Sequence, residues 1–153
     1  MEKININNLD IISLNLENID DILKLEKNLN IHIQSKDNII KDLNNSKFKY
    51  FLVKYMDEII AYSSISYTFD IEIEAIVVKK DFQRIGIATL LLNNIFEFAK
   101  SNNISNIFLE VRNSNFPAQE LYLKNGFNQI SIRKNYYYDN NENALVLKKT
   151  LTV

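Results

Sequence analysis

The 153-residue sequence contains no cysteine and a single histidine, His32. A chain without cysteine has no disulfide, no thiolate ligand for a metal and no cysteine nucleophile. One histidine cannot form a histidine-ligated metal site by itself, so we expect no metal and interpret His32 as a surface or helix-end residue. Any catalysis must therefore use carboxylates, hydroxyls and backbone amides.

The chain also lacks long apolar runs and an excess of either charge. No apolar segment approaches the roughly 18–20 residues that cross a bilayer, and the amino terminus lacks a secretory hydrophobic segment. The 18 basic residues nearly balance the 19 acidic ones, which gives no general positive field for nucleic acid or membranes. We expect a cytoplasmic protein, a monomer or weak dimer, with neither nucleic acid nor membrane as a direct partner.

Glycine, proline and arginine are scarce, with two glycines, one proline and three arginines beside fifteen lysines. All six of these residues lie between positions 84 and 133. They are Arg84, Gly86, Arg112, Pro117, Gly126 and Arg133. Because the chain avoids these three residue types elsewhere, we interpret this window as the part that carries the chemistry.

Hydrophobic periodicity predicts the element order βααβββαβαββ in a single domain over residues 1–153. The predicted strands cover residues 9–16, 48–55, 59–67, 71–78, 104–111, 127–138 and 142–151, and the predicted helices cover 19–29, 36–44, 87–100 and 116–125. An antiparallel start followed by a strand–helix–strand unit predicts an α/β fold, with helices on both faces of a mixed central sheet. We expect the strand over 71–78 to be central, half exposed where it begins and buried where it ends.

The strand–helix–strand unit also predicts where a ligand would bind. Its two strands should run parallel, and ligands tend to lie beyond the carboxyl ends of such strands, here near Val78 and Val111. Gly86 precedes a helix whose first N–H groups have no partner within the helix, an arrangement that binds phosphate. Arg84 could add a charged contact. An ordinary turn with a surface arginine is the alternative, and spacing alone does not decide between them.

Three blocks of sequence resemble the GNAT superfamily of N-acetyltransferases. Residues 83–88, QRIGIA, resemble its acetyl-CoA signature, Gln/Arg-x-x-Gly-x-Gly/Ala. Residues 109–127 contain LEVRNSN, then Ala118, Leu121-Tyr122 and Gly126-Phe127, and resemble a block of the ribosomal-protein-alanine acetyltransferases. The segments RKNYY at 133–137 and NALV at 143–146 resemble the closing part of the same proteins. Together the match spans about residues 71–148.

The resemblance implies the GNAT fold and acetyl-CoA as the cofactor. It also implies transfer to the amino-terminal amine of a protein or peptide, such as the amino-terminal alanine of a ribosomal protein. Glu110 matches the family's proton acceptor and Tyr122 its proton donor. The implied cofactor-binding residues are Ile76, Val77, Val78, Gln83, Arg84, Ile85, Gly86, Ile87, Ala88, Thr89 and Asn115. Two positions depart from the usual pattern, Ala88 in place of a second glycine and Lys80 in place of a proline.

Several alternatives stay open from the sequence. A Pro-Trp-Ser element of the ribosomal-protein enzymes is absent, because residues 31–37 read IHIQSKD, so a small amine remains an alternative acceptor. An inactive cofactor-binding module that regulates a partner is a third hypothesis.

Single residues also have rival interpretations. Glu110 could be a solvent-facing edge residue and Tyr122 a core tyrosine. Glu72 and Glu74 compete with Glu110 as the base or as residues that bind the substrate. Tyr136 and Tyr137 are candidate substrate-binding residues, or else edge-strand aromatics. Arg112 and Arg133 could pair with carboxylates, and we expect Arg112 to be the arginine that touches ligand.

Overall fold

The computed structural model describes residues 3–152, and its elements follow the predicted order. The strands are β1 (Asp10–Ser13), β2 (Phe48–Tyr55), β3 (Glu58–Tyr67), β4 (Ile71–Val78), β5 (Asn106–Arg112), β6 (Asn128–Arg133) and β7 (Ala144–Thr150). The helices are α1 (Ile19–Asn28), α2 (Lys36–Leu43), α3 (Ile87–Ser101) and α4 (Phe116–Lys124). Three short 3₁₀ turns, Ile6–Asn8, Leu16–Asn18 and Lys80–Phe82, complete the regular structure of these residues.

Within the described residues the strands form one mixed sheet in the order β1-β2-β3-β4-β5-β7-β6. As expected, β4 is central and runs parallel to β5, with Ile71 opposite Ile107. Strand β7 pairs antiparallel with both β5 and β6 and therefore lies between them. This mixed sheet with its helices confirms the predicted α/β fold.

The described chain forms two compact units. The first contains the residues up to Thr68 together with Ile73–Asn94, and the second contains Phe69–Glu72 and the residues from Ile95 onward. In the first unit α1 buries a stripe at helical spacing, Ile19, Ile22 and Leu25, against apolar residues that include Leu52 of β2. In the second unit the buried side chains alternate along β5, at Ile107, Leu109 and Val111, and run continuously along β7 from Ala144 to Leu147.

Three local expectations need correction. We expected β4 to begin half exposed and to end buried, but the burial alternates along the whole strand, and Ile76 and Val78 near its end are only partly buried. The predicted strand over 127–138 ends at Arg133. Asparagine directly before a helix usually caps it, so we expected Asn18 to cap α1. Its side chain makes no capping bond, and its Nδ2 donates to Asp21 Oδ2 at 3.4 Å. By contrast, Ser35 caps α2 by accepting a bond of 3.2 Å from the N–H of Asn38.

Strand β6 lies at the end of the strand order, and all six of its residues are exposed. Its register with β7 shifts between Gln129 and Ser131, which is the geometry of a bulge.

None of the helices described between residues 3 and 152 is both long enough and apolar enough to span a bilayer.

A carboxylate is buried in the first unit. Glu26 of α1 is only 2% exposed, and its Oε1 accepts a hydrogen bond of 2.7 Å from the hydroxyl of Tyr62. The N–H of Ile33 donates to its Oε2 at 3.5 Å. Burial raises the pKa of Tyr62 above its usual value, and the hydrogen bond to Glu26 adds to this rise. A carboxylate in such a place depends on its donors, because water cannot replace them.

Replacing Tyr62 with phenylalanine should therefore destabilise the protein by about 1–3 kcal/mol, since it leaves a buried acceptor unpaired. Urea denaturation of the variant and the wild type would measure the difference. Tyr138→Phe is the matched control. Tyr138 is 97% exposed, so that this substitution removes a hydroxyl that faces solvent. Equal free energies of unfolding for the two variants would contradict the structural role given to the bond.

Candidate active site

The first unit carries the predicted phosphate site at the start of α3. The N–H of Leu90 donates to the carbonyl of Gly86 at 3.0 Å, which is the first bond of the helix. The N–H groups of Ile87, Ala88 and Thr89 precede that bond and have no acceptor within the helix. The helix dipole adds partial positive charge at this end, so the site suits an anionic group such as a diphosphate.

The loop before α3 has an unusual backbone. Gly86 has φ +99°, and a Cβ added there would lie 3.2 Å from Cδ1 of Ile6. Arg84 has φ +63°, a left-handed conformation that few non-glycine residues adopt. Its side chain is exposed and can reach a bound anion. The loop thus combines a position that suits only glycine with an arginine whose backbone conformation is strained.

The other predicted cofactor residues of the first unit divide by burial. Val77 and Ile87 are buried, so only their main-chain atoms can meet a ligand. Ile85 is 41% exposed. Gln83 has a partner within the protein, because its Nε2 donates to the carbonyl of Val78 at 2.9 Å and so closes the loop after β4. Its contact with a cofactor stays a prediction.

The second unit carries Glu110 on β5, an interior strand of the sheet. The side chain is 15% exposed, and its Oε1 lies 3.6 Å from Nε of Arg133 at the end of β6. The alternative of a solvent-facing edge residue is therefore wrong. A largely buried carboxylate with a cationic neighbour is a common feature of functional sites as well as of structural ion pairs.

Tyr122 lies on α4 in the same unit. Its ring contacts that of Phe127 edge to face, with the centroids 5.6 Å apart. Burial raises the pKa of Tyr122 to about 12, with a smaller contribution from Tyr137. The phenol therefore stays protonated at neutral pH. Packing against Phe127 is compatible with proton donation, so the two interpretations of Tyr122 do not conflict.

Tyr136 and Tyr137 lie in the connection between β6 and β7, not in a strand, which rules out the edge-strand alternative for both. Their rings meet at 90° with centroids 5.0 Å apart. The guanidinium of Arg112 stacks 3.9 Å from the centre of the Tyr137 ring, a cation–π distance. Tyr136 is 40% exposed, which leaves part of its ring accessible to a substrate.

Arg112 is held by residues of the connection between β6 and β7. Its guanidinium contacts Asp139 at 3.0 Å and Glu142 at 3.3 Å. Glu142 also accepts a bond of 2.6 Å from the N–H of Ser114, and this bond lowers the pKa of its carboxyl, with Arg112 as a further cause. Arg112, which we expect to touch ligand, thus already has two acidic partners within the protein, and its contact with a ligand stays a prediction. The sequence analysis did not identify Asp139 and Glu142 as partners of Arg112. The only signal for them is a pair of acidic residues in an Asn-rich connection.

The remaining candidates have simpler surroundings. Asn115 is the N-cap of α4, and its Oδ1 accepts a bond of 3.3 Å from the N–H of Ala118. This bond uses the side-chain oxygen and leaves the amide nitrogen for another partner. Glu74 is exposed and accepts a bond of 2.7 Å from Ser66. Glu72 is partly buried and lies opposite Phe108 of β5. Across residues 3–152, no group of three or more potential metal ligands occurs.

Known proteins resemble this chain in both sequence and fold. Residues 16–127 match the acetyltransferase (GNAT) family. The [ribosomal protein bS18]-alanine N-acetyltransferase of Haemophilus ducreyi is 40% identical over 111 residues, which cover 69% of this chain and 77% of that protein.

Two solved structures agree with this match. The crystal structure of the ribosomal-protein-S18-alanine N-acetyltransferase from Escherichia coli superposes with a TM-score of 0.86 at 24% identity, over 95% of each chain. A GNAT family acetyltransferase from Elizabethkingia anophelis, crystallised with acetyl-CoA bound, gives 0.76 at 26% identity over 95% of this chain and 99% of its own. The protein is therefore an N-acetyltransferase of the GNAT family.

Proposed function

We propose that this chain transfers the acetyl group of acetyl-CoA to the amino-terminal amine of a protein, and that the acceptor is the amino-terminal alanine of ribosomal protein bS18. The observation that carries the proposal is the carboxylate of Glu110, largely buried on an interior strand beside the guanidinium of Arg133. The 40% identical protein of Haemophilus ducreyi, a bS18-alanine N-acetyltransferase, supports this acceptor. A ribosomal protein as acceptor places the reaction in the cytoplasm, and residues 1–153 would act as one acetyltransferase domain.

The residues at the start of α3 fit acetyl-CoA. Its diphosphate needs N–H donors and positive charge, and the helix end at Ile87–Thr89 together with Arg84 offers both. Main-chain groups of Ile76–Val78 would bind the pantetheine arm, and the amide nitrogen of Asn115 would add a contact. The cofactor supplies the acetyl group as a thioester.

Two side chains would then move the protons of the transfer. An amino-terminal amine is mostly protonated at pH 7, and a protonated amine cannot attack a carbonyl carbon. Glu110 would accept that proton, directly or through a water molecule. As the new C–N bond forms and the C–S bond breaks, the Tyr122 hydroxyl would donate its proton to the departing thiolate. The nitrogen would lose its second proton to solvent, and a proton from solvent would restore the Tyr122 hydroxyl. A backbone N–H near Val78 would stabilise the charge on the carbonyl oxygen.

Tyr122→Phe should lower kcat about 10²-fold or more, because it removes the donor for the leaving thiolate and little else. The affinity for coenzyme A should change little, since the ring and its packing on Phe127 remain. Steady-state thiol release and a coenzyme titration would measure the two quantities. A variant with wild-type kcat would show that Tyr122 is only a packing residue.

The acceptor itself is tested by thiol release from acetyl-CoA across a set of amines. A peptide with the amino-terminal sequence of bS18 should react, whereas the same peptide with a blocked amino terminus should not. Spermidine and other small amines serve as the competing class, which the missing Pro-Trp-Ser element favours. Faster turnover of a small amine than of the peptide would overturn the proposed acceptor, and no turnover of any amine would favour an inactive module.

A further inference from the structure

Two arginines of the second unit differ in how firmly the protein holds them. Arg112 has acidic partners at 3.0 and 3.3 Å and stacks on Tyr137. Among the described residues Arg133 has one carboxylate neighbour, Glu110, at 3.6 Å, which is too long for a hydrogen bond. Its guanidinium also lies 5.6 Å from the centre of the Tyr136 ring, farther than the 3.9 Å between Arg112 and Tyr137. The side chain of Arg133 is 58% exposed, compared with 34% for Arg112. Arg112 is therefore fixed in place, whereas Arg133 can leave its partner at little cost.

We propose that Arg133 is a displaceable counter-ion of Glu110, whose place the ammonium group of the acceptor takes when it binds. This inference rests on the proposed function, because it requires Glu110 to be the group that receives the acceptor's proton. In the free enzyme the guanidinium balances the largely buried carboxylate. When the acceptor arrives, Arg133 moves into solvent and the incoming ammonium supplies the positive charge.

The charged groups around Glu110 support this exchange. Arg112 follows two residues later on β5, but Asp139 and Glu142 already balance its charge. Strand β7 places Val146 opposite Glu110 and contributes no charge at that position. Tyr137, from the connection before β7, is a phenol whose pKa is raised chiefly by burial and is therefore neutral. Among these groups Arg133 is the only cation without a close acidic partner besides Glu110.

The exchange makes Arg133 a determinant of acceptor affinity. A cationic acceptor must compete with the guanidinium, so Arg133 weakens the binding of every ammonium and favours those with further contacts elsewhere. Removing the charge of Arg133 should lower the KM for the acceptor about two- to fivefold. This fold-change corresponds to the free energy that a partly exposed ion pair contributes. The effect should fall on KM, because Arg133 moves away before the proton transfer.

The test compares Arg133→Gln, Arg133→Lys and Lys134→Gln with the wild type, with the reactive peptide as acceptor. Arg133→Gln should lower the KM, and Arg133→Lys should restore it towards the wild-type value because it returns the charge. Lys134→Gln removes the same charge from the neighbouring exposed residue and should leave the KM unchanged. A fall in kcat at unchanged KM in Arg133→Gln would overturn the proposal, since it would mean that Arg133 orients Glu110 for the chemistry.

A binding experiment separates this inference from the proposed function. A peptide with a trimethylated amino terminus keeps the positive charge and cannot be acetylated, so its Kd reports binding alone. Arg133→Gln should tighten this binding, and the gain should vanish when Glu110 is also changed to Gln. A gain that persists without Glu110 would refute the exchange even if the wild type acetylates the peptide. A wild type that acetylates no peptide would instead refute the proposed function.

Discussion

Replacing Glu110 with glutamine should lower kcat about 10²- to 10⁴-fold, the usual cost of losing a general base. Glutamine keeps the shape of the side chain and its place on β5, but it cannot accept the proton of the ammonium. The affinity for coenzyme A should stay nearly unchanged, because the cofactor residues proposed above do not include Glu110. Steady-state kinetics and a calorimetric titration with coenzyme A would measure the two effects.

Glu120→Gln is the matched control for this variant. Glu120 lies on α4 and is exposed, so that its loss changes the net charge equally without touching the proposed base. Its kcat should match that of the wild type. Wild-type turnover in Glu110→Gln would remove Glu110 from the mechanism and make the partly buried Glu72 the next candidate.

A valine at Gly86 should weaken coenzyme A binding about tenfold or more. An L-residue with a positive φ costs about 1–2 kcal/mol, and each 1.4 kcal/mol corresponds to a factor of ten in affinity. The added Cβ would also lie against Ile6, only 3.2 Å away, so the loop must shift from the geometry that presents the helix N–H groups. Isothermal titration with coenzyme A measures the change.

Gly126→Val provides the control for the backbone strain. Gly126 has φ +91° and follows the C-cap of α4 in the second unit, so valine there imposes a similar backbone strain without touching the phosphate site. Its Cβ would also displace the flexible end of the Lys149 side chain. Coenzyme A should still bind to this variant if it folds. Arg84→Ala keeps Gly86 and removes only the charge, which covers the case in which the valine variant fails to fold. Unchanged affinity in both Gly86→Val and Arg84→Ala would exclude this loop as the diphosphate site.

Local signals in the sequence predicted much of the fold. Several helices and strands, such as α1 and β5, follow an apolar period, and some turns between elements contain residues suited to a positive φ, such as Gly126 after α4. The position of β7 between β5 and β6 could not be read in this way, because strand order depends on contacts between distant segments. The burial pattern of β4 has a similar origin, since it depends on what packs against each face of the strand and not only on the strand's own residues.

The candidate site also divides into features that local sequence signals predict and features that depend on contacts between distant segments. Gly86 and Arg84 could be identified because a rare residue type in a composition this biased marks a local requirement. The partners of Arg112 and Arg133 could not, because each arginine meets an acid more than 20 residues away. The expectation that Arg112 touches ligand was therefore made without knowledge of these partners, and it stays a prediction.

The irregular strand β6 has a consequence for the purified protein. An edge strand with a regular backbone offers a row of unpaired N–H and C=O groups on which another chain can align, and exposed Ile130 and Ile132 would favour such growth. The bulge between Gln129 and Ser131 interrupts that row, and Arg133 and Lys134 add charge where the strand ends. The backbone at this edge is thus a poor template for aggregation.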